Sequence, residues 1–137
     1  MDEVHQWLAD YAKYRAGATG TKAEQTENGW CLKNASDGAV EYYFLGEVSK
    51  HLLTQIAKLC SQSSVTRVVI VQESVEKNVL SLVPVWDEAV AIPCLVVMFV
   101  DVAQDDKWMV KPALHDKVCE RDHLEKSLLA LMNRDSA

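Results

Sequence analysis

Hydrophobic residues at the start of the chain recur with the period of a helix. They are spaced three and four positions apart, which predicts an amphipathic helix over residues 2–15. The stripe that they form contains Val4, Trp7, Leu8, Tyr11 and Tyr14. Residues 16–29 are small or polar and include three glycines, so we expect a flexible connector between this helix and the rest of the chain.

The next part of the chain has the pattern of a hairpin followed by a helix. Two β-rich runs, residues 29–34 and 39–46, flank an Asp-Gly pair, which is a hairpin signal. In residues 47–61 the apolar positions return to helical spacing, and this predicts a helix that packs broadly on a sheet.

Two continuous apolar runs predict the central strands. They are RVVIV at residues 67–71 and CLVVMFV at residues 94–100, and runs without alternation are typical of strands covered on both faces. Between them Ser74 is a helix-capping residue type, while Pro84 must break or kink the helix, so we expect one kinked helix or two short ones. A strand, helix and strand in this order favour parallel pairing of the two runs.

The C-terminal part predicts a strand and a final helix. Residues 107–113 follow a polar turn and should pair back on the preceding strand, whereas residues 114–120 should be extended or irregular. Asp122 stands three residues before Glu125, ahead of a new apolar stripe, which predicts that the final helix begins after Asp122. We therefore expect a single α/β (or α+β) domain over residues 1–137, in which a mixed sheet of about five strands and its flanking helices form a layered core of residues 30–137.

Composition and charge restrict the binding partners and the cellular compartment that we expect for this protein. With 14 basic and 20 acidic residues the net charge is −6, which disfavours nonspecific nucleic-acid binding. The chain has no apolar run of membrane-spanning length, and its acidic start is unlike a secretory signal, so we expect a soluble, cytoplasmic protein. The four cysteines are far apart in the sequence, and we expect reduced structural thiols. The four cysteines are Cys31, Cys60, Cys94 and Cys119.

Three metal-capable side chains recur at intervals of four residues near the C-terminus. His115, Cys119 and His123 would share one face of a helix if one helix contained them all. Because the predicted helix begins only after Asp122, they remain weak candidates for a zinc site. The chain also lacks the CxxC and HExxH spacings, and we expect no metal cofactor here.

A second candidate site follows from the predicted topology. If the second, third and fourth strands are parallel, their carboxyl ends place Glu47, Gln72, Glu73 and Asp101 at one edge of the sheet, where open sheets bind ligands. Converging carboxylates suit Mg²⁺ or Mn²⁺, which could activate water for phosphoester hydrolysis. Alternatively, these acids only begin helices and complement the helix dipole.

The aromatic stripe of the first helix suggests an interface. Trp7, Leu8, Tyr11 and Tyr14 must be buried, either on the sheet of the same chain or, through the connector, on a neighbouring subunit. Since no catalytic signature is assembled, we expect a noncatalytic binding or accessory protein, homodimeric, with a protein partner or a small ligand and without membrane attachment. The alternative function is a small hydrolase dependent on Mg²⁺ or Mn²⁺.

Overall fold

The computed structural model describes the backbone of residues 2–135 and the side chains of residues 3–133. Within this range the chain forms six α-helices and six strands, together with short 3₁₀ turns at Val83–Val85 and Arg121–His123. The helices are α1 (Asp2–Thr19), α2 (Lys50–Cys60), α3 (Glu76–Leu80), α4 (Trp86–Val90), α5 (Pro112–His115) and α6 (Leu124–Asp135). The strands are β1 (Lys22–Thr26), β2 (Gly29–Lys33), β3 (Ala39–Leu45), β4 (Arg67–Glu73), β5 (Leu95–Asp101) and β6 (Asp106–Val110).

All six strands belong to one mixed sheet, in which the spatial order follows the chain order from β1 to β6. Strands β3, β4 and β5 are parallel, and the other neighbouring pairs are antiparallel. This arrangement confirms the predicted α/β fold and the parallel pairing of the two apolar runs, with six strands where about five were expected. The carboxyl ends of β3, β4 and β5 consequently lie at the same edge of the sheet.

The additional strand replaces the predicted connector, which was wrong. Helix α1 continues through the first part of residues 16–29 and ends at Thr19. Gly20 follows with a φ of +70°, which allows the Thr21 amide to donate to the Ala16 carbonyl at 2.9 Å. Strand β1 then pairs with β2 through a two-residue turn. Because β1 is an edge strand, its backbone bonds and partial cover by α1 hold it without an apolar run, so hydrophobicity alone could not detect it.

The two faces of the sheet are covered by different helices. Helices α2 to α6 cover one face, whose core includes Ile56, Ile70 and Phe99. Among the described helices, only α1 covers the other face, where Leu8 has no exposed surface and packs with residues of the central strands. The first helix therefore docks on the sheet of its own chain.

The segment between β4 and β5 forms two short helices, which is one of the two arrangements predicted from Pro84. A 3₁₀ turn that contains this proline separates α3 from α4. The predicted cap is wrong, because Val75 precedes α3 and Ser74 has another partner. The Ser74 hydroxyl accepts a hydrogen bond from the Trp108 indole at 2.8 Å and so joins β4 to the neighbouring hairpin.

Two of the four cysteines form a disulfide, contrary to the expectation of reduced thiols. Cys60 ends α2 and Cys94 immediately precedes β5, and their sulfurs are bonded across a sequence separation of 34 residues. The packing of α2 against β4, the strand that pairs with β5, brings them together, and the spacing in the sequence could not show this. Cys31 and Cys119 are free thiols.

The C-terminal strand is shorter than predicted. Strand β6 ends at Val110, because Pro112 cannot donate to a ladder and instead begins α5. Residues 114–115 are consequently helical, whereas extended or irregular backbone was expected there. Helix α6 begins after Asp122 as predicted. No helix in the described part of the chain is long and apolar enough to cross a membrane.

Candidate functional site

A cleft of about 500 Å³ opens at the carboxyl ends of β3 and β4. Its walls are the first turns of α1, the turn between β1 and β2, the two strand ends and the side chain of Asn78 from α3. This volume lies within the range of small-molecule sites, roughly 300–1,000 Å³. The location agrees with the rule that open sheets bind ligands outside the carboxyl ends of parallel strands.

Two glycines shape the floor of the cleft. A Cβ atom at Gly29 would lie 1.8 Å from the carbonyl oxygen of Tyr43, so only glycine allows β2 to approach β3 this closely. Gly46 has a φ of +146° and lets the chain turn away from the sheet directly after β3. The Leu45 amide donates to the Asn28 carbonyl at 2.9 Å and holds the β1–β2 turn against this strand end.

Gln72 is the most unusual group in the cleft wall. The residue is only 6% exposed, and its Nε2 donates to the Gly46 carbonyl at 2.9 Å. Its Oε1 is buried and has no hydrogen-bond partner among the described residues. An unpaired buried acceptor costs about 1–3 kcal/mol, so a ligand that donates to this oxygen would recover part of that free energy.

The ionisable side chains among the described lining residues of the cleft are two carboxylates and one histidine, His5. Glu27 and Glu73 contribute exposed carboxylates, while no lysine or arginine is among the described lining residues. Amide side chains, from Gln25, Asn28 and Asn78 besides Gln72, supply further donors and acceptors.

An apolar wall completes the cleft on the α1 side. Trp30, Val4 and Leu45 line it. Such a set of groups would repel a phosphate and attract an amine or a neutral polar molecule with an apolar part.

The structure brings together two of the four side chains that the sequence analysis placed at this edge. Gln72 and Glu73 line the cleft. Glu47 and Asp101 are exposed and do not line it, and the Asp101 carboxylate accepts from the Gln104 amide at 3.2 Å within the following turn. Among the described residues, no group of three or more His, Cys, Asp or Glu side chains is arranged to hold a metal ion.

Sequence reasoning missed the contribution of the β1–β2 turn. Gln25, Asn28 and Trp30 enter the cleft only because residues that were predicted to form a connector fold into a hairpin. The Asn28-Gly29 dipeptide is itself a strong turn signal and could have revealed this hairpin.

The histidines and the cysteine that were weak zinc candidates have separate partners. The His115 ring packs edge-on against Trp86, its Nε2 lies 3.0 Å from the Ser127 hydroxyl, and burial lowers the pKa of this imidazole. Cys119 donates to the Glu120 carbonyl at 3.4 Å. His123 lies beside the Glu120 carboxylate, with 3.5 Å between nitrogen and oxygen.

The four aromatic and apolar side chains predicted for an interface are divided by the fold. Leu8 is fully buried, and Trp7 stacks on Tyr11 with 5.2 Å between the ring centroids. The Trp7 indole also donates to Asp105 at 3.1 Å. Tyr14 differs from the other three, because 75% of it is exposed.

Comparisons with known proteins add no assignment to this site. The chain matches no protein-family model, and no curated protein matches its sequence.

Proposed function

We propose that this protein is a noncatalytic binding protein whose ligand occupies the cleft at the carboxyl ends of β3 and β4. The observation that carries the proposal is that Gln72 lines this cleft while its buried Oε1 has no hydrogen-bond partner among the described residues. Folded proteins pair nearly all of their buried polar atoms, so an unpaired acceptor on a residue that lines a cleft calls for a donor from outside the chain, and the proposed source is a ligand in the cleft.

The ligand that suits the cleft is a small amine or a neutral polar molecule. One N–H or O–H group would donate to Gln72, and a positive charge would be favoured near Glu27 and Glu73. An apolar portion would contact Trp30.

The alternative function is a hydrolase that uses Mg²⁺ or Mn²⁺ on a phosphoester. In its favour, Glu27 and Glu73 both line the cleft. It would have to recruit a further oxygen ligand from elsewhere, because Glu47 and Asp101 lie outside the lining. We therefore rank it below the binding protein.

Two further expectations remain proposals. Homodimerisation is not supported by α1, since this helix docks on its own chain, and it would have to use another surface. A cytoplasmic location is in tension with the disulfide between Cys60 and Cys94, because such bonds persist mainly in oxidising compartments.

The test is a thermal-shift screen of metal-free protein against small amines, sugars and nucleosides, with Mg²⁺, Mn²⁺ and Zn²⁺ in separate wells. We expect stabilisation by a member of the organic panel, and Gln72→Met should weaken its binding by about tenfold, which is the loss of one hydrogen bond. Asp101→Asn is the matched control outside the cleft and should bind as the wild type does.

Two results would contradict the binding function. The first is that Gln72→Met leaves the affinity for the organic ligand unchanged, because the unpaired Oε1 of Gln72 would then play no part in binding. The other is stabilisation by Mg²⁺ or Mn²⁺ that Glu73→Gln abolishes, which would favour the hydrolase.

A further inference from the structure

An apolar groove lies on the far side of the molecule from the cleft, beside the edge strand β6. It is bordered by Met109, Leu114, Val118 and Leu131, with Lys111 and Lys117 at its rim, and we call it the β6–α5 groove. Its volume is about 480 Å³. The groove is shallow and open to solvent, and a depression of this extent accommodates a few apolar side chains of a partner.

The groove concentrates the exposed apolar side chains of the molecule. Of the five large hydrophobic residues that are exposed in the described part of the chain, three border it: Met109 at 41%, Leu114 at 57% and Val118 at 85% exposure. Single exposed hydrophobic residues are ordinary, whereas several around one concavity indicate a binding surface.

The charge of the groove is opposite to that of the whole chain. The protein carries a net charge of −6, yet no aspartate or glutamate is among the described residues that line the groove. Lys111 and Lys117 are exposed, and neither ammonium group forms an ion pair with a described residue. A partner with acidic side chains would form ion pairs with both ammonium groups.

Hydrogen bonds to α4 fix the loop that follows α5, and this loop forms part of the groove. The Trp86 indole donates to Asp116 at 2.9 Å, and Asp116 also accepts from Arg121 at 2.8 Å. Arg121 further contacts Asp87, so the loop after α5 is tied to α4. A preformed groove binds with a smaller cost in conformational entropy than a surface that must first become ordered.

We propose that the β6–α5 groove is a docking site for an acidic peptide segment of another protein, in which two or three apolar side chains enter the groove and flanking carboxylates pair with Lys111 and Lys117. The apolar contacts supply the affinity, and the two lysines select an acidic sequence. This site is separate from the cleft and does not depend on the function proposed for it.

The test is a selection of random 16-residue peptides displayed on phage, with the full-length protein as bait and the Leu114→Ser/Val118→Ser variant for counter-selection. Both side chains are exposed, so this variant should fold like the wild type, which its unfolding curve checks. We expect the enriched peptides to combine apolar residues with an excess of aspartate and glutamate. A synthetic enriched peptide should bind Lys111→Glu/Lys117→Glu about tenfold or more weakly than the wild type, since attraction becomes repulsion.

A matched variant separates the effect of charge at the groove from the effect of the protein's net charge. Lys22→Glu/Lys58→Glu makes the same change in net charge at exposed positions that do not line the groove, and it should bind the peptide nearly as the wild type does. The proposal is overturned if no enrichment depends on Leu114 and Val118, if the enriched peptides lack acidic residues, or if both charge variants weaken binding equally.

Two other occupants of the groove give distinguishable results. A second copy of this chain would appear as a dimer in sedimentation equilibrium that Leu114→Ser/Val118→Ser dissociates. An anionic membrane would retain the wild type on phosphatidylserine vesicles but release Lys111→Glu/Lys117→Glu. Either result would replace the peptide as occupant, although the chain's net negative charge disfavours the membrane.

Discussion

At the scale of single residues, the carboxylate of Glu41 accepts three hydrogen bonds beneath α1. It accepts two hydrogen bonds from Arg15, at 3.2 and 2.8 Å, and one from the Tyr43 hydroxyl at 2.6 Å. Burial alone would raise the pKa of Glu41, but the bonds from Arg15 and Tyr43 outweigh it and hold the pKa below its usual value. The group is therefore ionised in the folded protein, and it ties α1 to β3.

We expect Glu41→Gln to lower the free energy of unfolding by about 2 kcal/mol at neutral pH, because it removes a charge from these hydrogen bonds. Urea unfolding measures the change. Since the folded pKa lies below the unfolded one, the contribution of the carboxylate is present above the unfolded pKa and is lost as the pH falls through the folded pKa. The difference between wild type and variant should accordingly shrink in acid.

Glu24→Gln provides the control for this prediction. Glu24 pairs with Lys33 at 3.1 Å, but its side chain is 55% exposed. A surface ion pair of this kind contributes about 0–1 kcal/mol, so the substitution should have little effect. If both substitutions lowered the free energy of unfolding equally, the hydrogen bonds of Glu41 would stabilise the fold no more than a surface ion pair does.

At the scale of elements, the disulfide joins the end of α2 to the start of β5. A cross-link that closes a loop of 34 residues stabilises a fold by about 4 kcal/mol in the chain-entropy treatment. We expect reduction with a phosphine to lower the free energy of unfolding by roughly this amount, measured by guanidinium unfolding with and without reductant.

The remaining cysteines make the effect assignable to one bond. Cys119→Ser should respond to reductant as the wild type does, whereas Cys60→Ser/Cys94→Ser should not respond at all. If the wild type has the same stability in both conditions, the bond contributes nothing to the fold and reduced thiols describe the protein better.

At the scale of the whole molecule, α1 is the only helix in the described structure that covers its face of the sheet. Leu8 lies fully buried among residues of β4 and β5, so Leu8→Ala should lower the free energy of unfolding by about 2–5 kcal/mol. Because the contacts are within one chain, the loss should not depend on protein concentration. Chemical unfolding at several concentrations, with light scattering for the molar mass, checks both statements.

Tyr14→Ala is the matched control on the same helix. Its side chain is 75% exposed, and removing it should change stability by no more than about 0.5 kcal/mol. A fall in molar mass for either variant would contradict docking within one chain and would restore helix exchange between subunits.

Much of the fold was predictable, because its strongest signals are local. Continuous apolar runs marked β4 and β5, the Asp-Gly pair marked the hairpin of β2 and β3, and Pro84 marked the break between α3 and α4. Strand β1 was missed since an edge strand needs little burial. Its absence from the prediction removed one whole wall of the cleft.

The candidate site was predictable only in part, for the same reason. Gln72 and Glu73 followed from the parallel order of the strands, which the helical crossovers imply. Asp101 did not join them, because the distance between β3 and β5 across the sheet and the turn after β5 set its position.

By itself the sequence determined the class of the fold, the central strands and the edge of the sheet at which polar residues accumulate. It also determined that helices precede and follow the central strands, since all of these depend on periodicity and on residues near in the chain. The tertiary structure decided which distant groups meet. It joined Cys60 to Cys94, placed α1 on its own sheet, left the buried Oε1 of Gln72 unpaired beside a cleft and gathered Leu114 and Val118 beside β6. Such contacts follow from the packing of whole elements, which no short stretch of sequence encodes.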